Sequence, residues 1–199
     1  MNELADKIWE NFQTIEDKFD GLTNYPPYLA GGAVRDMVLG IPEQVKDLDF
    51  YISLKRPVSD FSITAVMKGL EMHNVLDTYT NLEGGNPIHS VWTNKERDVE
   101  YILLRNTHPM LYVDEFFDIG ICEAVMDNEG DIEVTSRFMQ DREDKLIKLR
   151  PKEKHSMHTV GKAIIDHLPR VVKKYPEYNS VIQPQITLTE GVGMPWYKP

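Results

Sequence analysis

Cysteine is almost absent from this sequence: Cys122 is the single one among 199 residues. One thiol builds neither an internal disulfide framework nor a cysteine-only zinc site. A reducing, cytoplasmic setting is therefore the expectation. Long hydrophobic runs are missing too. No apolar stretch approaches the roughly eighteen residues that span a bilayer, so no membrane partner is expected. The opening text MNELADKIWENF is acidic and amphipathic, unlike a secretory signal. Positive charge is scarce, with 22 Lys and Arg against 32 Asp and Glu and a formal net charge of −10. Such a balance opposes broad electrostatic capture of nucleic acid. The basic charge that exists is concentrated in Lys145–Lys174, which holds nine Lys or Arg against Glu153 and Asp166. That segment is either a contact for a phosphate backbone or a solvated helix face balancing an acidic body.

What is present suits one ordinary globular domain: 41% apolar and 27% charged residues. The informative stretch is Tyr28–Ser53, YLAGGAVRDMVLGIPEQVKDLDFYIS. A short apolar run ends in Gly31-Gly32, a helical pattern covers Ala33–Leu39, and Gly40 with Pro42 stops it. Glycines ahead of a helix bring bare amides to the surface, and the positive end of the helix suits an anion such as phosphate. Then comes DLDFYIS, residues 47–53. As a strand it places Leu48, Phe50 and Ile52 on one face and Asp47, Asp49, Tyr51 and Ser53 on the other. Asp47 and Asp49 would project side by side, about 7 Å apart. Paired carboxylates repel unless a cation sits between them, and Mg²⁺ takes such oxygen ligands together with substrate phosphates. A D-x-D alone is weak, because sixteen Asp produce about one by chance.

Elsewhere, Leu4, Ile8, Trp9, Phe12, Ile15 and Phe19 recur at helical spacing over 2–20, a packing helix. Ser59 or Asp60 caps a helix running to about Met72. Val75–Tyr79 and Ile88–Trp92 read as strands around a hairpin turn containing Gly84-Gly85. Residues 97–105, RDVEYILLR, form another strand with Asp98 and Glu100 on one face. Residues 136–144 read as a short helix, Leu146–Leu149 as a strand and Ser156–Lys174 as a helix, before a Pro- and Gly-punctuated tail. Cys122 reads as a small buried residue. His155, His158 and His167 lack the spacing of a zinc site and read as neutral polar groups near the basic face.

The motif Gly31-Gly32-Ala33-Val34-Arg35-Asp36, a spacer, then Asp47-Leu48-Asp49 resembles the GGxVRD…DxD opening of class II CCA-adding enzymes and bacterial poly(A) polymerases. These belong to the DNA polymerase β-like nucleotidyltransferase superfamily, and the likeness covers roughly residues 25–150. It implies an α+β fold, a small, mostly antiparallel mixed sheet with helices on one face, plus a C-terminal helix and extended tail. Residues 1–150 would be the nucleotidyltransferase head, and 151–199 would not form an independent domain. The activity implied is transfer of a nucleoside monophosphate from an NTP to an acceptor hydroxyl, RNA above all, through a two-metal Mg²⁺ site. Asp47, Asp49 and Glu100 would be the catalytic and metal-binding carboxylates, Glu100 being preferred to Asp98 from its spacing to Arg105. Gly31, Gly32, Arg35, Arg105 and Asp118 would bind nucleotide, and 145–174 would meet RNA. The chain departs from the pattern where the family has R-R-D-x-x-x-N: Phe116 and Phe117 replace both arginines, and Cys122 replaces the asparagine. No E-D-x-x-R motif, which selects the base in the family, follows the head. A protein or small-molecule acceptor, or a nucleotide-binding module with weak turnover, are the alternative readings.

Overall fold

The computed structural model describes residues 3–56, 58–75, 87–151 and 157–183. The Gly84-Gly85 turn, most of the Val75–Tyr79 strand, His155 and the tail beyond 183 lie outside them. Helix α1 (Glu3–Lys18) follows its apolar stripe: Ile8, Phe12 and Ile15 are buried, with Phe19 just after. Trp9 sits at the margin of that stripe and is 39% exposed.

Among the described residues seven strands form the main sheet: β1 (Tyr28–Ala30), β2 (Leu48–Leu54), β3 (His73–Asn74), β4 (Ile88–Thr93), β5 (Val99–Arg105), β6 (Ala124–Met126) and β7 (Ile132–Val134). Their order is β3-β4-β5-β2-β1-β6-β7. Every pairing is antiparallel except β2 with β5. That parallel pair needs a long crossover, and α3 (Asp60–Gly69), β3 and β4 supply it. The Ser59 hydroxyl caps α3 by accepting the Ser62 amide at 3.1 Å.

Alternation along β2 and β5 sorts their side chains. Leu48, Phe50, Ile52, Leu54, Tyr101 and Leu103 join Phe12 and Ile15 of α1, Met67 of α3 and Val34 of α2 (Gly32–Val38) in the larger core. Phe138 of α5 (Ser136–Asp144) joins it too. Phe12 meets Phe50 edge-on with ring centres 5.1 Å apart. The opposite face holds Tyr28, Ala30, Tyr51, Ile102 and Leu104. Here the expectation of helices on one face needs a correction. Helix α4 (Pro109–Phe116) lays Tyr112 and Val113 on that second face, beside Tyr51 and Val125. The sheet is apolar on both sides away from Asp49 and Glu100, so each side needs a cover.

After β8 (Leu146–Leu149), helix α6 (Met157–Lys162) passes through a π-helical turn at Ala163–His167 into α7 (Leu168–Lys174). Part of the expected tail is a strand, β9 (Asn179–Ile182), paired parallel with β8 in a second small sheet. Among the described residues no helix is long and apolar enough to cross a membrane.

Candidate active site

The parallel pairing of β2 with β5 sets the site. Asp49 and Glu100 are register partners, so their side chains leave the same face from strands about 5 Å apart. On the other side of Asp49 its partner is Ala30, the residue before the diglycine. Asp47 lies one residue ahead of β2 rather than inside it, and is exposed. Burial, then Asp47 and Glu100, push the Asp49 carboxyl up to about 8, while Arg170 of α7 pulls the other way. Glu100 is raised as well, by burial first and Asp47 second. The neighbouring carboxylates thus oppose the ionisation of Asp49 and Glu100. Asp98, weighed against Glu100, is occupied elsewhere: it accepts from Lys7 and Asn94, which lower its pKa.

Gly31 precedes α2 with φ 75° and ψ −128°, a conformation only glycine adopts readily. Its amide donates to the Ala124 carbonyl at 3.0 Å. A Cβ on Gly31 would lie 3.2 Å from the Phe117 ring, so that side of the bend is covered by an aromatic edge. The amides of the first helical turn, Gly32–Val34, lack intrahelical acceptors, as in any helix.

The side chains that follow turn inward. Arg35, expected at a triphosphate, is 4% exposed. Its guanidinium donates to Asp36 (Nε, 2.7 Å), to the Cys122 sulfur (3.0 Å) and, more weakly, to the Tyr175 hydroxyl (3.2 Å). Asp36 is fully buried and also accepts from the Tyr175 hydroxyl at 2.7 Å and from Lys174. Arg35 and Asp36 thus brace α2 against the end of α7. Burial holds the Cys122 thiol above its usual range, although Arg35 opposes this, which suits an inert sulfur.

Other expected site residues are dispersed. Arg105 ends β5, five residues or roughly 16 Å along the strand from Glu100, and on the opposite face; the structure does not bring it to the carboxylates. Asp118 faces His167 of the π-helical turn, 3.6 Å away. Phe116 and Phe117, standing where arginines were expected, join Tyr51 and Tyr112 in an aromatic cluster. Within the basic segment, Lys148 and Arg150 pair with Asp144 and Asp141, and Lys174 with Asp36.

Arg170 is the residue that sequence reading missed. It lies close enough to Asp49 for its charge to lower that carboxyl's pKa.

The donor set fits a hard divalent cation: oxygen-only, acidic and mutually repelling. Among the described residues no three His, Cys, Asp or Glu side chains are gathered closely enough to hold an ion as they stand. The backbone register supplies the adjacency of Asp49 and Glu100.

No protein-family model matches the sequence, and no curated protein matches it either. Solved structures do. The Bacillus stearothermophilus CCA-adding enzyme in complex with CTP superposes with a TM-score of 0.54 at 16% identity, over 91% of this chain and 42% of that one. A tRNA-processing enzyme in an apo form gives 0.52 at 16% identity, over 91% and 45%. A CCA-adding enzyme complexed with ATP gives 0.50 at 14%, over 91% and 40%. The chain spans less than half the length of these proteins, and what it shares with them is the fold of that part.

Proposed function

We propose that this chain is a metal-dependent nucleotidyltransferase, moving a nucleoside monophosphate from an NTP to an acceptor hydroxyl, with a tRNA-like RNA 3′ end as the acceptor. The observation that carries this reading is the Asp49–Glu100 register pair, with Asp47 beside it and the glycine turn at its flank. Asp47, Asp49 and Glu100 would hold Mg²⁺. Bound there, the ions supply a lowered pKa for the attacking hydroxyl and neutralise charge on the leaving pyrophosphate. The chain's own groups do the rest. Amides of Gly32–Val34 and the Arg170 guanidinium orient the triphosphate, and their fixed dipoles and charge oppose no reorganisation as negative charge builds. The aromatic edge of Phe117 excludes water from one side of the bend. That the three neighbours above are CCA-adding and tRNA-processing enzymes supports an RNA acceptor.

One observation favours a second acceptor class. Lys148, Arg150 and Lys174 are engaged on internal carboxylates, which thins the basic surface available to RNA and suits a protein or small-molecule acceptor, or a nucleotide-binding module with weak turnover. Incubation with each labelled nucleotide, Mg²⁺ and total cellular RNA separates these readings. Label on short structured RNA is the expected result. Label on protein, or pyrophosphate release without labelled RNA, moves the acceptor; nucleotide binding with no release leaves a binding module.

A further inference from the structure

At the opposite end of the parallel pair from the carboxylates lies a second polar site. Leu54 and Arg105, the last residues of β2 and β5, are register partners. With Lys55, Arg56, Val58 and His89 they line a cleft of about 140 Å³, far above the ~10–15 Å³ that one water requires. The backbone around it is pinned: the Lys55 amide donates to the Leu22 carbonyl at 2.8 Å and the Arg105 amide to Pro87 at 2.7 Å.

The charges are what single it out. In a chain of net charge −10, three cations border one cleft, whereas several others pair with carboxylates: Lys7 with Asp98, Arg137 with Glu123 and Asp114, Arg150 with Asp141, Lys174 with Asp36. Among the described residues Lys55, Arg56 and Arg105 make no such pair. The Oδ1 of Asp60 is held by His89 Nε2 of the same cleft at 2.9 Å. Three unneutralised cations around one cleft repel each other unless an anion lies between them. Two are arginines, whose planar donor forks match phosphate oxygens, and the third is a lysine acting as a point charge. The aliphatic stems of all three, with Leu54 and Val58, form apolar walls behind charged heads.

We propose that Lys55, Arg56 and Arg105 form a phosphate-binding site, separate from the carboxylate site. Its ligand is a single phosphate group, carried either by free phosphate or by a nucleic-acid backbone. The site does not depend on the transferase reading, since it needs neither the metal ligands nor turnover.

The test uses the full chain in chelator, which removes metal-bridged phosphate binding at the carboxylates. Binding of inorganic phosphate is followed by calorimetry at millimolar concentration, and binding of a labelled single-stranded RNA by anisotropy across a salt series. The triple variant Lys55→Gln, Arg56→Gln, Arg105→Gln is compared with a charge-matched control, Lys18→Gln, Lys68→Gln, Lys95→Gln. The expected result is at least about a tenfold loss of phosphate affinity in the triple variant, the effect of losing charged hydrogen bonds, with none in the control. Should the triple variant also weaken RNA and reduce the salt slope by about 0.7, the value for one single-strand phosphate contact, the ligand is a backbone phosphate. Loss for inorganic phosphate alone assigns the free anion. No binding by the parent chain, or equal losses in both variants, overturns the proposal. The three residues are exposed, and single variants at Arg56 and Arg105, folded by circular dichroism, guard against misfolding of the triple.

Discussion

Asp49 of β2 stands directly across from Glu100 of β5 in the sheet's parallel ladder, and Glu100, with burial and Asp47, makes Asp49 harder to ionise. Such a pair is costly without a counter-charge, so its place beside the glycine turn is the strongest functional statement in the fold. Asp49→Asn should lower nucleotidyl transfer by at least about 10²–10³-fold, the usual effect of losing one preorganised charge-stabilising group. Glu100→Gln should follow the same direction. Initial rates with labelled NTP check both, with circular dichroism to confirm folding. Transfer at the parent rate in the Asp49 variant removes the metal assignment.

Titration of Asp49 gives a stability prediction of defined sign. Its carboxyl is pushed up to about 8 by burial, Asp47 and Glu100, whereas an unfolded Asp titrates near 3.9. Between those values the folded chain holds the proton that the unfolded chain has released. Stability therefore falls as pH rises through that window and levels off above it. In chelator, Asp49→Asn should melt higher than the parent, with a gap that widens from pH 5 to about 8. Each kcal/mol corresponds to about 2–4 °C for a chain of this size. Added Mg²⁺ should raise the parent's melting temperature most at the upper end of that window. Scanning calorimetry at several pH values is the check; a gap that closes with rising pH contradicts the assignment.

Much of this site was legible because strand alternation is a local property. The D-x-D text assigned Asp49 to one face and Phe50 to the other, and the packing of Phe50 against Phe12 bears that out. The preference for Glu100 over Asp98 came from the resemblance, through the spacing of Glu100 to Arg105, because alternation alone places both acids on one face. What stayed hidden depends on contacts distant in the chain. Nothing near Asp36 indicates that Lys174 and Tyr175, about 140 positions later, would meet it. Arg35 was therefore assigned outward to a phosphate. Arg105 was misplaced because its distance from Glu100 counts residues, whereas five strand residues also carry it to the far end and the other face. The second face of the sheet escaped notice because apolar text in α4 does not say which side it covers.

Arg170 is the cation that opposes the raised pKa of Asp49, and it is exposed on α7 toward the carboxylates. Arg170→Ala should have two effects of one origin. The Asp49 carboxyl rises further, so the ascending limb of the rate–pH profile moves to higher pH. The triphosphate also loses a charged partner, so the KM for NTP rises about tenfold, in line with ~1.5 kcal/mol or more per charged hydrogen bond. Arg170→Lys should restore most of the pH profile and less of the KM, because a point charge does not reproduce the planar fork. An unchanged pH profile in the alanine variant separates Arg170 from the site.

Gly31 allows two causes of strain to be measured apart. Ala at this position meets both a positive φ of 75° and the Phe117 ring 3.2 Å from its Cβ. The backbone part should cost about 1–3 kcal/mol, and the ring contact adds to it. Phe117→Ala removes the contact and leaves the dihedral. The double variant should therefore be less destabilised than the sum of the single ones, by 0.5 kcal/mol or more on the usual scale of such couplings. Urea unfolding of the four proteins measures the difference; strict additivity would place all the strain in the backbone.

Asp36 offers the sharpest stability test, because it is fully buried and binds three donors, Arg35, Tyr175 and Lys174. Asp36→Ala leaves the Arg35 guanidinium buried without its carboxylate, a loss of about 3–5 kcal/mol for a broken buried pair. Against a total near 5–15 kcal/mol, that is enough to unfold a marginal chain. Tyr175→Phe removes one hydrogen bond to a charged group, about 1.5–3 kcal/mol. Lys174→Ala should cost least, because its side chain is 22% exposed and water can solvate what remains. Since the network joins α2 to α7, Tyr175→Phe should also speed amide exchange in α7 and leave α1 protected. Exchange that accelerates equally in both helices would mean that Tyr175 acts on global stability rather than as a local brace on α7.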